Sequence, residues 1–146
     1  MTANQINDVK KLIEKTKKDS KAVAQFIRNA VDNEDIVLKS KGLQKFSYIY
    51  VADAVSGIIK VLLDGVPGEA YNISADNDNK TLSDYAEYLS SINNKKVIYQ
   101  IENNPNASQA QNALLDNAKI KKIGFIPRYT VIEGLKRTVD IYRYKD

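Results

Sequence analysis

Apolar residues recur at the spacing of an amphipathic α-helix in six stretches of the chain. A stripe that repeats every three or four residues can bury one face of a helix. The stretches and their stripes are 4–16 (Ile6, Val9, Leu12, Ile13), 23–33 (Val23, Phe26, Ile27, Ala30, Val31), 52–64 (Val51, Val55, Ile58, Ile59, Leu62), 81–89 (Leu82, Tyr85, Ala86, Leu89), 116–123 (Leu115, Ile120, Ile123) and 131–142 (Val131, Leu135, Val139, Tyr142).

Polar residues and glycines mark where several of these helices begin and end. Thr81 with Asp84 three residues later has the pattern of a capping box. Gly65 and Gly124 each follow an apolar stripe, where glycine commonly ends a helix. Asp53 lies in the first turn of its helix, where the helix dipole favours a negative charge.

Short β-rich runs separate the predicted helices. The predicted strands are 36–38, 46–51, 70–74 and 97–101. In the second of these, a period of two places Phe46, Tyr48 and Tyr50 on one face and the intervening residues on the other, so both faces should be partly covered. Because strands and helices alternate, the predicted fold class is α/β or mixed α+β, in one domain.

Two polar stretches, 75–80 and 102–111, lack apolar periodicity and are predicted to be loops. The second, which reads ENNPNASQAQ at 102–111, is long for a connection inside a compact domain. Long surface loops often carry binding residues. We therefore expect 102–111 to be a surface loop with a possible binding role.

Composition limits the chemistry that is open to the chain. With 146 residues, 43% of them hydrophobic, it is long enough to bury one core. Cysteine and histidine are absent, which excludes disulfides, thiolate metal sites and imidazole catalysis by this chain alone. The N-terminal residues contain no apolar core typical of a signal peptide, so a cytoplasmic protein is the default expectation, with no membrane interaction.

The charge is positive and concentrated near the N-terminus. The formal net charge is +4 with a sequence pI of about 9.1, and six lysines precede residue 22. The simplest interpretation is a solvated helix face or a loosely ordered arm over residues 1–20. Phosphate or nucleic-acid binding is the alternative, but no RNA- or DNA-binding motif accompanies the lysines, so nucleic acid is not the favoured partner.

The strongest motif runs from Phe46 to Ser74 and reads FSYIYVADAVSGIIKVLLDGVPGEAYNIS. It places a tyrosine-rich strand before an aspartate at a helix start, an amphipathic helix, a Pro-Gly turn and a strand ending in Tyr-Asn-Ile. Two further stretches follow in order, LDNAKIKKIGFIP at 115–127 and EGL at 133–135. This order resembles the C-terminal, substrate-binding lobe of the NAD-dependent nucleotide-sugar epimerases and dehydratases, the extended short-chain dehydrogenases.

The resemblance runs from about Lys21 to about Arg143. Within the family, the sequence is most similar in character to dTDP-glucose 4,6-dehydratase-like and UDP-glucuronate decarboxylase-like proteins of bacterial surface-polysaccharide pathways. It therefore implies an isomerase or a lyase of sugar-nucleotide metabolism. It also implies two regions in this chain, a lysine-rich N-terminal helix or arm at 1–20 and a substrate-binding lobe at 21–146.

The same resemblance implies a reaction in which bound NAD briefly oxidises the sugar, assisted by a tyrosine with a lysine four residues later. The dinucleotide would need a glycine-rich turn that lets the backbone approach the pyrophosphate. None of the six glycines forms such a turn, and none of the nine tyrosines has a lysine at that spacing. We expect neither tight NAD binding nor turnover by the chain alone, and we assign it no catalytic, cofactor-binding or metal-binding residue.

Three residues are candidates for contacting a nucleotide-sugar. In many relatives the position of Phe46 is an arginine that reaches the substrate diphosphate. Lys45 beside it could supply a positive charge, although it points to the opposite face of a strand and lacks the two-pronged geometry of arginine. Asn72, at the end of a predicted strand, is the third candidate. The simpler interpretations are a solvated edge charge for Lys45, a backbone hydrogen bond for Asn72 and a surface position for Arg128.

Three functions remain open. In the first, the chain is the substrate-lobe portion of a family enzyme, either a truncated reading frame or a subunit completed by another polypeptide, which predicts an apolar surface that drives homo-oligomer formation or accepts a partner chain. In a second, the chain is a noncatalytic interaction module whose basic N-terminal helix contacts a partner. In a third, the lysine run binds nucleic acid.

Overall fold

The computed structural model describes residues 21–76, 78–101 and 112–144. Seven elements follow one another in these ranges: α1 (Ala22–Val31), β1 (Ile36–Leu38), α2 (Val51–Asp64), α3 (Leu82–Ser91), β2 (Val97–Tyr99), α4 (Ala118–Lys122) and α5 (Val131–Arg143). The predicted helix at 4–16, the lysine-rich arm at 1–20 and the predicted loop at 102–111 lie outside the described residues. No helix in the described ranges is long and apolar enough to cross a lipid bilayer.

The hydrophobic core forms where α1, α3 and α5 pack together beside β1. The apolar stripes predicted for these three helices supply its buried side chains, which confirms those predictions. The buried core residues of these elements are Phe26 and Ala30 of α1, Ile36 and Leu38 of β1, Tyr85, Ala86 and Leu89 of α3, and Val131, Leu135 and Val139 of α5.

The two strands form a parallel pair in the register Ile36 to Val97 and Leu38 to Tyr99. The Asp35 carboxylate accepts a hydrogen bond from the backbone N–H of Lys96 at 2.9 Å, which fixes the start of the pair. β2 ends at Tyr99, two residues before the predicted end. The described residues therefore form a small α/β domain with parallel strands, in agreement with the predicted class.

Two of the predicted strands are not regular strands. The segment 46–50 is half-buried, as expected, but it pairs only through one isolated parallel bridge between Phe46 and Ala113. The segment 70–74 has no strand ladder at all. Alternating or β-rich sequence favours an extended backbone, but a strand also needs a neighbour to accept its hydrogen bonds. In the described part of the chain, only β1 and β2 form a continuous strand ladder with each other.

The short helix α4 is anchored by Ile120, which is fully buried. Ile123 is half-buried behind it, and Gly124 follows with φ +87°, the left-handed conformation that ends the helix as predicted. The prediction that Leu115 also packs inward is wrong, because Leu115 precedes the helix and is largely exposed.

Both α3 and α5 begin with a capping box. At the start of α3, Thr81 and Asp84 exchange side-chain hydrogen bonds with each other's backbone N–H, as predicted from sequence. At the start of α5, Thr130 and Glu133 do the same, with Glu133 Oε2 accepting from Thr130 N at 2.8 Å. Each pair satisfies two N–H groups that a helix N-terminus would otherwise leave unpaired.

We predict that the contribution of Glu133 to stability depends on pH. The hydrogen bonds from the Thr130 backbone and side chain lower the pKa of Glu133 below its ordinary value. Its contribution is therefore fully present above the unfolded pKa of about 4.3 and is lost as the pH falls through the lower folded pKa. In urea unfolding, the stability difference between the natural chain and Glu133→Gln should be greatest near neutral pH and shrink in acid. A difference that does not change with pH would contradict this assignment.

Candidate functional site

The candidate site lies where three extended segments, 44–48, 72–76 and 112–117, are joined by hydrogen bonds. Ser47 N donates to the Ala113 carbonyl at 3.0 Å, and Ala113 N donates to the Lys45 carbonyl at 2.9 Å. On the other side, Ala75 N donates to the Tyr48 carbonyl at 3.1 Å. The first segment thus lies between the other two and holds them in place.

This junction contains all three of the residues predicted to contact a substrate. Lys45 is half-buried, and its Nζ donates to Asn79 Oδ1 at 2.6 Å. Phe46 is half-buried beside it and packs edge-on against Tyr48, with 6.3 Å between the ring centroids. Asn72 is exposed on the second segment. The structure brings the segments of Lys45 and Asn72 together but shows no direct contact between the two side chains.

Two asparagines tie the second segment to the third. Asn72 Nδ2 donates to the Asp116 carbonyl at 3.0 Å, which confirms the expectation of a backbone partner for this residue. Asn117 Nδ2 donates to the Ser74 carbonyl and to the Asp76 carboxylate, each at 3.1 Å. Sequence analysis did not single out Asn117, although it follows Asp116 inside the motif at 115–127.

Two buried polar atoms at this junction have no hydrogen-bond partner among the described residues: Gln44 Oε1 and Ser74 Oγ. A buried polar group without a partner is uncommon in folded proteins and needs an explanation such as a ligand or a bound water. Gln44 precedes Lys45, and Ser74 follows the Asn72 segment. No pattern in the sequence could have identified either atom, because their burial depends on the meeting of distant segments.

Two lysines of α4 lie beside the junction, and each forms an ion pair with a carboxylate. Lys119 forms an ion pair with Glu69 and also lies over the Tyr71 ring, 4.8 Å from its centroid. Lys121 pairs with Asp76, and this hydrogen bond, followed by that from Asn117, lowers the pKa of the Asp76 carboxyl. These lysines therefore already have intramolecular partners.

The phenols at the site are suited to hydrogen bonding rather than to proton abstraction. Burial raises the pKa of Tyr48, so its hydroxyl keeps its proton at neutral pH. Burial, together with a hydrogen bond to Asp78, raises the pKa of Tyr85 as well. A catalytic tyrosine would need a lowered pKa, which neither of these residues has.

Asp53 anchors the start of α2 to the segment after Pro127. Its side chain is 1% exposed, and Oδ2 accepts hydrogen bonds from the backbone N–H groups of Arg128 at 3.0 Å and Tyr129 at 2.9 Å. The sequence interpretation gave Asp53 a role at the helix dipole, but its main contacts are with the segment after Pro127. Arg128 itself is exposed, as expected for a surface residue.

A cluster of aromatic and cationic side chains lies next to the hydrogen bonds of Asp53. The rings of Tyr50 and Tyr129 pack edge to face, with 5.0 Å between their centroids. The Arg137 guanidinium lies over both rings, 5.9 Å from the Tyr50 centroid and 4.9 Å from the Tyr129 centroid. Gly134 permits the approach of Tyr50, because a Cβ there would lie 2.9 Å from Tyr50 Cβ. The motifs at 46–74 and 133–135 thus contact each other through Tyr50 and Gly134 in a structural cluster.

Acidic side chains occupy three of the helix N-termini in the described ranges, whereas the first turn of α1 contains none. A pyrophosphate is usually bound at a helix N-terminus that offers free N–H groups and carries no negative charge. Here α2, α3 and α5 carry Asp53, Asp84 and Glu133 in their first turns, and the last two carboxylates already accept N-terminal hydrogen bonds. In the ranges that the structure describes, no three His, Cys, Asp or Glu side chains are grouped as metal ligands.

Comparisons with known proteins show which proteins this chain is similar to. Residues 11–74 match the NAD dependent epimerase/dehydratase family. Human dTDP-D-glucose 4,6-dehydratase is 27% identical over 128 residues, which cover 84% of this chain and 37% of that enzyme.

Two solved structures match most of the described fold. The crystal structure of dTDP-glucose 4,6-dehydratase from Bacillus anthracis in complex with NAD superimposes with a TM-score of 0.70 at 26% identity, covering 85% of this chain and 39% of that one. UDP-glucose 4-epimerase from Thermotoga maritima, solved with UDP-glucose, gives a TM-score of 0.71 at 25% identity, covering 86% and 40%.

The chain thus spans between 37% and 40% of the length of these three proteins. Its small α/β domain matches part of the extended short-chain dehydrogenase fold. The chain is therefore homologous to the dTDP-glucose 4,6-dehydratases and related to the NAD-dependent nucleotide-sugar epimerases and dehydratases, of which it spans a portion.

Proposed function

We propose that residues 21–146 are the substrate-binding lobe of an NAD-dependent nucleotide-sugar epimerase or dehydratase of surface-polysaccharide biosynthesis. The observation that carries this proposal is the extent of the match, which takes in 84% of this chain but only 37% of the human dehydratase. NAD and the catalytic tyrosine and lysine would come from the portion that this chain does not span. The chain alone would then be inactive.

The proposed site for the nucleotide-sugar is the junction of the three extended segments. Lys45 would pair with a phosphate oxygen of the substrate after releasing the neutral Asn79 amide, an exchange that favours the charged partner. Phe46 would supply an apolar contact, and Asn72 would hold the neighbouring segment through Asp116. The buried side-chain oxygens of Gln44 and Ser74 have no hydrogen-bond partner among the described residues. They would form hydrogen bonds with the substrate or with a water beside it.

This arrangement gives the chain a binding and positioning role rather than a catalytic one. NAD, when bound by the complete enzyme, would supply the hydride chemistry. The residues described here would fix the diphosphate and keep the sugar in one orientation, which lowers the entropic part of the barrier. The raised pKa of Tyr48 supports this division, because a protonated phenol donates a hydrogen bond but does not remove a proton.

Complementation in trans tests the proposal. The Bacillus anthracis dehydratase would be produced without the segment that this chain matches and co-expressed with the full chain. We expect dTDP-glucose to be dehydrated only when both polypeptides are present. Lys45→Ala should then lower the rate at least about tenfold, because one charge-assisted contact to phosphate is lost.

The matched control is Lys39→Ala, which removes an exposed lysine that follows β1 and lies outside the junction. It should leave the rate of the complemented enzyme unchanged. Product formed by the chain alone with added NAD would contradict the proposal, and so would equal effects of the Lys45 and Lys39 variants.

A further inference from the structure

Three lysines at or beside the junction differ in the charge of their partners. Lys119 and Lys121 of α4 each form an ion pair with a carboxylate. Lys45 Nζ instead donates to the side-chain oxygen of Asn79, at 2.6 Å. A carboxylate offsets the charge of an ammonium group, whereas an amide oxygen accepts its hydrogen bond and leaves the charge in place.

The residue before Asn79 in the sequence is an aspartate, which has other partners. Asp78 Oδ1 accepts hydrogen bonds from the Tyr85 hydroxyl at 3.0 Å and from Lys80 N at 3.2 Å. These bonds hold the Asp78 carboxylate against α3 and its own loop. The fold therefore presents an amide to Lys45, although an acid lies one position earlier in the chain.

A second carboxylate near Lys45, that of Asp84, belongs to the start of α3. Hydrogen bonds from the backbone and side chain of Thr81 lower the pKa of Asp84, with smaller contributions from the charges of Lys80 and Lys45. The two Thr81 bonds reach Asp84 Oδ2 at 2.6 Å and 2.8 Å. Asp84 is thus used by the capping box, and Asn79 provides the hydrogen bond to Lys45.

The backbone at Asn79 limits which residues can take its place. Asn79 has φ +58°, in the left-handed region. Apart from glycine, asparagine and aspartate adopt this conformation most readily. The position therefore accommodates an amide or a carboxylate on the same backbone, and the choice between them decides the charge that faces Lys45.

We propose that Asn79 is a specificity-determining residue of the substrate site, because its amide holds the Lys45 side chain in place and leaves the ammonium charge available to the diphosphate of a nucleotide-sugar. This role rests on the proposed function. On binding, the Lys45 ammonium exchanges the amide oxygen for a phosphate oxygen, which accepts a stronger, charge-assisted hydrogen bond. An aspartate at position 79 would form an ion pair with Lys45 that the diphosphate must first break.

Steady-state kinetics of the complemented enzyme test this role. We expect Asn79→Asp to raise the KM for dTDP-glucose at least about tenfold and to change kcat less than about twofold, because the substitution acts on binding of the diphosphate and not on the chemical step. Asn79→Ala removes the amide without adding a charge and should raise the KM less than about threefold. Far-UV circular dichroism checks that each variant chain remains folded.

The matched control is Asn94→Asp. Asn94 is also in the left-handed conformation, with φ +54°, and is exposed after the end of α3, outside the junction. The control makes the same change of charge on the same kind of backbone. It should leave both the KM and kcat of the complemented enzyme unchanged.

A double-mutant cycle with Lys45→Ala shows whether Asn79 acts through Lys45. Once Lys45 is removed, Asn79→Asp should raise the KM less than about threefold further. An equal effect in both backgrounds, or an equal effect of Asn79→Ala and Asn79→Asp, would overturn the role of Asn79. If Lys45→Ala raises the KM and Asn79→Asp does not, that role fails while the proposed function stands. No product from the complemented mixture would refute both.

Discussion

Replacing Asp53 by alanine is expected to lower the free energy of unfolding by about 3 kcal/mol. The buried carboxylate accepts hydrogen bonds from Arg128 N and Tyr129 N, and the substitution leaves these two partly buried N–H groups without their acceptor. It also releases α2 from the segment after Pro127. Urea unfolding followed by circular dichroism measures the change.

The control for this substitution is Asp64→Ala, at the other end of the same helix. Asp64 is half-exposed and forms an ion pair with Lys60 one turn earlier, so its loss should cost no more than about 0.5 kcal/mol. If the two substitutions have similar effects, Asp53 does not have the anchoring role assigned to it.

Gly57→Leu is expected to destabilise the fold by about 2 kcal/mol, through a different contact of α2. Even a Cβ at this position would lie 2.6 Å from Ile73 Cγ2, which belongs to a β-branched side chain that cannot easily move aside. The better helix propensity of leucine, worth up to about 1 kcal/mol relative to glycine, offsets only part of this overpacking. Thermal and urea unfolding measure the net effect.

Ser56→Leu is the matched control, because it adds the same side chain to the next position on α2, where the surface is exposed. It should change the free energy of unfolding by less than about 0.5 kcal/mol. A Gly57→Leu protein as stable as the natural chain would show that α2 does not pack closely on Ile73 and Phe125.

These two contacts explain the orientation of α2. A buried carboxylate and a glycine without a side chain occupy the inner face, so the helix approaches the domain closely only with that face inward. The apolar stripe must then point outward. Any coverage of this surface by another polypeptide segment depends on this orientation.

The core helices were predicted correctly from sequence, because the apolar residues of each stripe are the ones that the core buries. Tyr85, Leu89 and Val139 are buried as the period of 3.6 requires. For α2 the same period correctly located the helix but gave no indication of which face meets the domain. An amphipathic pattern shows that an apolar face exists, and only the tertiary contacts show what covers it.

The strands were harder to predict, because a strand is defined by its partner. Residues 46–50 and 70–74 have suitable sequences, yet pairing in the described chain is limited to one bridge for the first and to none for the second. Pairing depends on which segments become neighbours, and local pattern does not contain that information.

The candidate site was predicted in part. Sequence analysis located Lys45, Phe46 and Asn72 through the family resemblance, and the backbone bond expected for Asn72 is confirmed. It missed Gln44, Ser74 and Asn117, whose importance arises from contacts between segments far apart in the chain. Whether the three predicted residues contact a substrate remains a proposal.

Isothermal titration calorimetry of the chain with NAD tests the central proposal most directly, namely that this chain supplies the substrate side of a family enzyme and has no dinucleotide site of its own. The Bacillus anthracis dehydratase, whose crystal structure contains NAD, is the positive control. We predict a saturable binding isotherm for that enzyme and only heats of dilution for this chain. Saturable binding of one NAD per chain with micromolar affinity would contradict the account.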